Sequence, residues 1–182
     1  MDRKEVDLCI QAIAEGDQTA LVTLYDAYYQ AVFLLSASIV SQSALAEDIT
    51  QEVFIAVRQC ADRYQPGTNA RAWIFGITKN LCRYHLRRER YEFPMENAGE
   101  PDLVEFDREC LADIVAADAL STLNAAEYRV TVLHVYAGLK LREIGELLGI
   151  PYGTVLWRFS QAKKKLRQFY AAAGEKGDGT DE

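Results

Sequence analysis

The sequence predicts an all-α protein: two small helical domains joined by a flexible acidic linker, the C-terminal one a helix-turn-helix. Three observations carry this. Apolar residues recur at three- and four-residue steps along most of the chain. That rhythm fails between Tyr91 and Asp107, where Pro94, Gly99 and Pro101 sit among acidic residues. The glycine-punctuated stretch from Glu143 to Val155 has the spacing of two short helices that cross steeply. At 182 residues, the chain can form one full domain or two of about 80 to 100 residues each. Its 49% hydrophobic and 26% charged content is that of an ordinary globular protein and excludes collagen-like, mucin-like and disordered chains.

Element by element, a short helix is expected near Val6 to Ala14. From Asp17 to Val40, Leu21, Leu24, Tyr25, Tyr28, Val32, Leu35 and Ile39 mark one buried face. A second long helix, Ser43 to Asp62, turns Leu45, Ile49, Val53, Ala56, Val57 and Cys60 inward. Tyr64-Gln65-Pro66-Gly67-Thr68 then supplies turn chemistry. Asn69 suits the N-cap of a third helix reaching Arg88, with Trp73, Ile77 and Leu81 on one stripe. These elements make a first domain over 1–90, followed by the linker over 91–108. Helical character resumes from Glu109 to Leu120, and Asn124 with Glu127 forms a capping box for a helix to Tyr136, stopped by Gly138. A short helix to Leu148, the turn Gly149-Ile150-Pro151 and a last helix to Ala172 complete a second domain over 109–172. The tail, 173–182, has nothing to bury and is expected to be disordered. The sequence shows no internal repeat.

No apolar run approaches the roughly 20 residues of a membrane span, and the charged N-terminus has no apolar segment behind it. The chain is therefore expected in the cytoplasm, without membrane insertion. Cys9, Cys60, Cys82 and Cys110 lie far apart, so reduced thiols are expected rather than disulfides or a zinc site.

The net charge of −7 hides blocks of alternating sign: −7 over 1–57, +6 over 58–90, −9 over 91–127, +6 over 128–170 and −3 over 171–182. Two basic islands in an acidic chain can still displace counterions from phosphates. Charge alone does not separate that reading from two solvated helix faces.

Glu143-Ile144-Gly145-Glu146-Leu147-Leu148-Gly149-Ile150-Pro151-Tyr152-Gly153-Thr154-Val155, then Arg158 and Phe159, reads as a helix-turn-helix. Gly145 lets the two backbones approach, Gly149 suits a positive φ at the turn, and Pro151 suits the first turn of the second helix. Ile144, Leu148, Ile150, Val155 and Phe159 fill the wedge. The second helix is expected to enter the major groove, leaving Lys163, Lys164, Lys165 and Arg167 for phosphates or solvent. The bland alternative is a helical hairpin with a basic side, but the spacing of Gly145, Gly149, Pro151 and Val155 favours DNA binding.

In the N-terminal domain, Glu47, Asp48, Gln51 and Glu52 share one face of the second long helix and suit a basic partner. Taken alone, that face reads more simply as solvated. On the next helix Arg71, Lys79, Arg83, Arg87 and Arg88 alternate with Trp73, Phe75 and Tyr84, a mixture that holds phosphates while stacking single-stranded bases. Trp73 reads as core; Tyr64 and Tyr84, flanked by polar residues, are the better contact candidates.

The residues together amount to a resemblance. Ala46-Glu47-Asp48 through Gln51-Glu52-Val53-Phe54, then Arg71-Ala72-Trp73-Ile74, Lys79-Asn80-Leu81 and Leu86-Arg87-Arg88, resemble conserved region 2 of bacterial sigma factors. The helix-turn-helix with Gly153-Thr154-Val155 and Arg158 resembles region 4. A chain holding only these regions and a short linker is similar to the extracytoplasmic-function (ECF) group, over about residues 15–90 and 115–168. The resemblance implies a subunit without catalysis that binds core RNA polymerase and directs promoter recognition, melting and initiation. It implies that Glu47, Asp48, Gln51 and Glu52 dock on the clamp coiled coil of the polymerase. The loop from Tyr64 to Ala70, with Asn69, Arg71, Lys79, Asn80, Arg83, Arg87 and Arg88, is implied to capture the melted downstream element. Arg142, Tyr152, Gly153, Thr154, Trp157, Arg158 and Lys163 are implied to meet the upstream element as duplex. Lys140 stands where a polar cap is usual, Leu156 and Trp157 where Lys and Ser are common, Ala70 where Phe and Tyr84 where Asp are frequent. An anti-sigma partner is implied as well; no metal or other cofactor is.

The main alternative is a helix-turn-helix regulator whose N-terminal domain senses a ligand or dimerises, which leaves the acidic face and the basic-aromatic helix unexplained. An enzyme has little support. His85 and His134 are the only histidines, and Cys82 with His85 is half a metal site. Cys82 beside Arg83 is read as a packed cysteine in preference to an activated thiol.

Overall fold

The structure is a computed structural model that describes residues 1–40, 42–92 and 114–177. Among the described residues it is all-helical: α1 Arg3–Ala14, α2 Gln18–Val40, α3 Ser43–Cys60, a 3-10 turn Ala61–Arg63, α4 Ala70–Glu92, α5 Ile114–Ser121, α6 Ala125–Val135, α7 Leu141–Leu148 and α8 Tyr152–Gly177. Most of the expected linker, and residues 109–113 of the expected fifth helix, lie outside the described residues. The last helix runs five residues past its expected end at Ala172, so 173–177 continue the helix instead of opening a disordered tail. Ala171, Ala172 and Ala173 have the highest helix propensity and carry it on.

Helix α1 opens with a reciprocal box that the sequence reading missed. The Asp2 carboxylate accepts the Glu5 N–H at 2.8 Å while Glu5 accepts the Asp2 N–H, and the bond from Glu5 holds the Asp2 carboxyl below its ordinary pKa. Gly16, at φ 94°, ends the helix. Asp17 then accepts the N–H groups of Thr19 and Ala20 to start α2. Leu24, Tyr28, Val32 and Leu35 are buried as expected, and so are Ala31, Phe33 and Leu34. α2 is enclosed on several sides because α1, α3, α4 and α6 all pack on it.

Helix α4 departs from its expected register. Its core face is Ile74, Phe75, Thr78 and Cys82, all fully buried, and Phe75 meets Tyr28 edge-on at 6.1 Å between ring centroids. Phe75 is therefore a core residue and not a base-stacking one. Trp73, Ile77 and Leu81 are only half-buried. Burial pushes the Cys82 thiol up to about 11, which makes it a packed, unreactive cysteine.

The two helical modules lean on each other, and their buried apolar residues form one continuous cluster. Arg129 of α6 donates twice, at 3.1 and 2.7 Å, to the Ser38 carbonyl near the C-terminal end of α2. Arg71 donates to the Tyr28 hydroxyl and the Gly138 carbonyl, each at 2.9 Å, and to the Met1 carbonyl. The Lys79 ammonium donates to the Leu147 carbonyl at the end of α7.

Candidate nucleic-acid interface

The C-terminal motif folds from local signals. Asn124 accepts the Glu127 N–H at 2.9 Å and Glu127 accepts the Asn124 N–H at 3.1 Å, the expected capping box of α6. Gly149 ends α7 at φ 72°. A Cβ on Gly145 would stand 3.0 Å from the Ile150 carbonyl oxygen and 3.5 Å from a Val155 methyl, so the two backbones meet where the sequence required a glycine. Lys140 gives α7 no side-chain cap, since an ammonium has no acceptor; Glu143 supplies half a box by taking the Lys140 N–H at 2.8 Å. Pro151 lies just before α8, its carbonyl accepting from Thr154 and Val155, one position earlier than expected. Ile144 and Val155 are fully buried in the wedge, with Leu148, Ile150 and Phe159 packed around them.

This packing aims the start of α8 outward. Tyr152, Gly153 and Trp157 are exposed, with Thr154 and Arg158 half-buried beside them. The Arg142 guanidinium lies 5.7 Å over the Tyr152 ring, and the Lys163 ammonium 5.0 Å over Phe159. Lys163, Lys164 and Arg167 are exposed farther along. Lys165 is not part of that set: it pairs with Glu127 at 2.7 Å and ties α8 to the start of α6.

In the N-terminal module, Glu47, Asp48 and Gln51 stand exposed on α3. Glu52 is turned toward α4, its carboxylate 2.9 Å from the His85 imidazole. Beside Gln51, Leu21, Val22, Tyr25, Phe54 and Ile55 line an apolar groove of about 620 Å³ between α2 and α3. Tyr25, expected inward, is 38% exposed there.

A second hollow, about 520 Å³, opens between α3 and α4, lined by Ala56, Cys60, Arg63, Trp73, Ile77, Asn80, Leu81 and Tyr84. It explains the α4 register. The apolar stripe read as core is the wall of a concavity, and Ala56 and Cys60, also read as inward, face it from α3. Asn80 and Tyr84 are exposed at its edge, and Arg83, Arg87 and Arg88 are exposed along the same helix. Of these lining residues the sequence had placed only Asn80, and Tyr84 as a contact candidate, in a functional role; periodicity cannot distinguish a core stripe from a lined hollow.

Three expected contact residues are placed differently. Tyr64 is buried at 6% exposure, packs its ring 5.3 Å from Trp73 and donates its hydroxyl to Asp7 of α1; burial and that bond raise its pKa. Arg71 is shared between the Tyr28 hydroxyl and the Met1 carbonyl of its own module and the Gly138 carbonyl of the second, and Lys79 donates to the Leu147 carbonyl of the second module. Burial, and the neighbouring charge of Arg83, lower the Lys79 pKa. Asn69 caps α4 as the sequence predicts, its side-chain oxygen accepting the Ala72 N–H at 3.2 Å. Among the described residues no cluster of His, Cys, Asp and Glu could hold a metal ion, and no helix is long and apolar enough to cross a membrane.

Residues 24–91 match Sigma-70 region 2, and residues 119–168 match Sigma-70, region 4. The chain is 28% identical over 174 residues to the ECF RNA polymerase sigma factor SigW of Bacillus subtilis, spanning 87% of this chain and 93% of that protein. It is 32% identical over 171 residues to the ECF RNA polymerase sigma factor SigE of Mycolicibacterium smegmatis, spanning 87% and 65%. Its fold is similar to that of CnrH solved with the cytosolic domain of CnrY, with TM-score 0.57, 24% identity and coverage of 94% and 99%. It is similar also to RpoE solved with the anti-sigma factor NepR from Bartonella quintana, with TM-score 0.58, 21% identity and coverage of 82% and 95%.

Proposed function

This chain belongs to the sigma-70 family and is a sigma factor of the ECF group, directing RNA polymerase to promoters; from that premise we propose how its surfaces divide the work. The hollow between α3 and α4 carries the reading. Apolar and aromatic walls from Trp73, Ile77 and Leu81, an amide rim from Asn80 and the exposed Tyr84 ring suit a base unstacked from the melted downstream strand. Arg83, Arg87 and Arg88 lie along the same helix for its phosphates. The start of α8, with Tyr152, Gly153, Thr154, Trp157 and Arg158, enters the major groove of the upstream element, and Arg142 and Lys163 flank it.

Glu47, Asp48 and Gln51 dock on the clamp coiled coil of core polymerase. Glu52 plays a lesser part because His85 shares its carboxylate. The apolar groove beside Gln51 continues that face and receives the apolar side of the same coiled coil. The working units are residues 1–90 and 109–172. The chain works in the cytoplasm, and the chemistry of initiation belongs to the polymerase, with no reaction of the chain's own.

The contacts between modules also bear on regulation. Arg71 and Lys79 face carbonyls of the second module, so the free chain binds promoter DNA poorly until the modules part. An anti-sigma protein, like the NepR solved with RpoE, acts by holding them together. The test is transcription by purified core polymerase, with and without this chain, on a promoter library. Two separated elements should be enriched only when the chain is present. Enrichment of one element, or tight specific duplex binding without polymerase, contradicts the reading and favours a stand-alone regulator.

A further inference from the structure

The opening turns of α8 carry apolar surface that packing does not explain. Leu156 is 42% exposed and Trp157 60%. At 100° per residue they flank the line through Gly153, Ser160 and Lys164, on the side of the helix away from the buried Val155 and Ala162. Nothing lies within 4 Å of where a Gly153 Cβ would stand, so the ground beside them is open. Cations frame this patch. Arg142 sits over Tyr152 on one flank, and Lys163, Lys164 and Arg167 are exposed along the next turns.

An apolar centre inside a cationic frame fits duplex DNA better than an apolar protein groove. Phosphates line the rims of the major groove, and its floor carries one apolar feature, the C5-methyl of thymine. Resting on the assignment of α8 as the groove helix, we propose that Leu156 and Trp157 are specificity-determining residues that read thymine methyls in the upstream element. Leu156 has no hydrogen-bonding atom and the Trp157 indole has only its Nε1–H donor, so most of the patch is carbon surface suited to a methyl. The patch therefore selects a thymine-bearing step by apolar contact, next to whatever Arg158 selects by hydrogen bonding.

The test uses core polymerase with the full chain on a promoter taken from the library selection. Each upstream thymine is replaced in turn by deoxyuridine, which removes the methyl and keeps the base-pairing edge. With the unaltered chain, at least one replacement should weaken open-complex formation about fourfold, the value of one buried methyl group. With Leu156→Ala or Trp157→Ala, that same replacement should have no effect. Leu156→Lys, a solvent-compatible change on an exposed helix position, provides a second variant whose fold is not in question and should also lose the methyl effect. Equal deoxyuridine sensitivity in the unaltered chain and all three variants overturns the inference. So does the absence of any sensitive thymine, or variants that lose binding to another protein while promoter selection is unchanged. Arg158→Ala separates the two levels. If it weakens use of the upstream element while the methyls are inert, the groove helix stands and the thymine reading falls. If it leaves that element untouched, the assignment of α8 itself fails.

Discussion

The helix-turn-helix and the α3–α4 hollow are both candidate DNA surfaces, and they are built in opposite ways. In the first, each feature comes from residues a few positions apart: the Asn124–Glu127 box, Gly149 at positive φ, and Gly145 set against Ile150. In the second, no lining residue signals its role to a sequence neighbour. Ala56 and Cys60 line one hollow with Ile77 and Leu81 only because α3 and α4 lie antiparallel and one face of α4 borders the gap between them instead of packing on α2. Surfaces of the first kind tolerate changes in the rest of the molecule, whereas surfaces of the second kind depend on how distant helices pack.

The sharpest way to break this contrast uses two isoleucines on α4. Ile74 is fully buried, so Ile74→Ala should cost about 2–5 kcal/mol of stability, read from urea unfolding. Ile77 is half-buried on the hollow. Ile77→Ala should cost clearly less stability and act instead on capture of the melted downstream element. Equal unfolding costs would restore Trp73, Ile77 and Leu81 to the core stripe that periodicity predicts. Next in size is Gly145→Val. With a backbone carbonyl 3.0 Å from the first added carbon, α7 and α8 must separate, at about 1–3 kcal/mol; loss of helicity and of upstream-element footprints would report it. The smallest effect is at the box of α6, where Asn124→Ala should lower stability by about 1 kcal/mol, seen as a small drop in Tm with promoter preference unchanged.

What was legible in the sequence follows the same division. Helix positions came through because apolar spacing and caps act within a turn or two, and so did the glycine-dependent turn. The register of α4 did not. Trp73, Ile77 and Leu81 repeat at core spacing, and only the position of α3 shows that they line a hollow. Tyr64 looked like a contact residue because its neighbours are polar. It is buried against Trp73, and its hydroxyl donates to Asp7, 57 residues away. Arg71 and Lys79 looked like phosphate ligands because basic residues alternate with aromatic ones along α4, yet each donates to a carbonyl of the second module, 67 and 68 residues further on, and Arg71 also to Tyr28 and Met1. Charge and flanking residues identify what a side chain can bind, while long-range packing decides what it does bind in the closed chain.

On the proposed reading, one sigma factor carries two separate DNA surfaces, one for a melted strand on α4 and one for duplex on α8. The most direct test compares open-complex formation by core polymerase carrying either Asn80→Ala with Tyr84→Ala, or Arg158→Ala with Leu156→Ala. Each is assayed on promoters altered in the downstream or the upstream element. A crossed pattern is expected: the α4 pair becomes insensitive to changes in the downstream element alone, and the α8 pair to changes in the upstream element alone. If both pairs lose sensitivity to the same element, the division of the two surfaces is wrong.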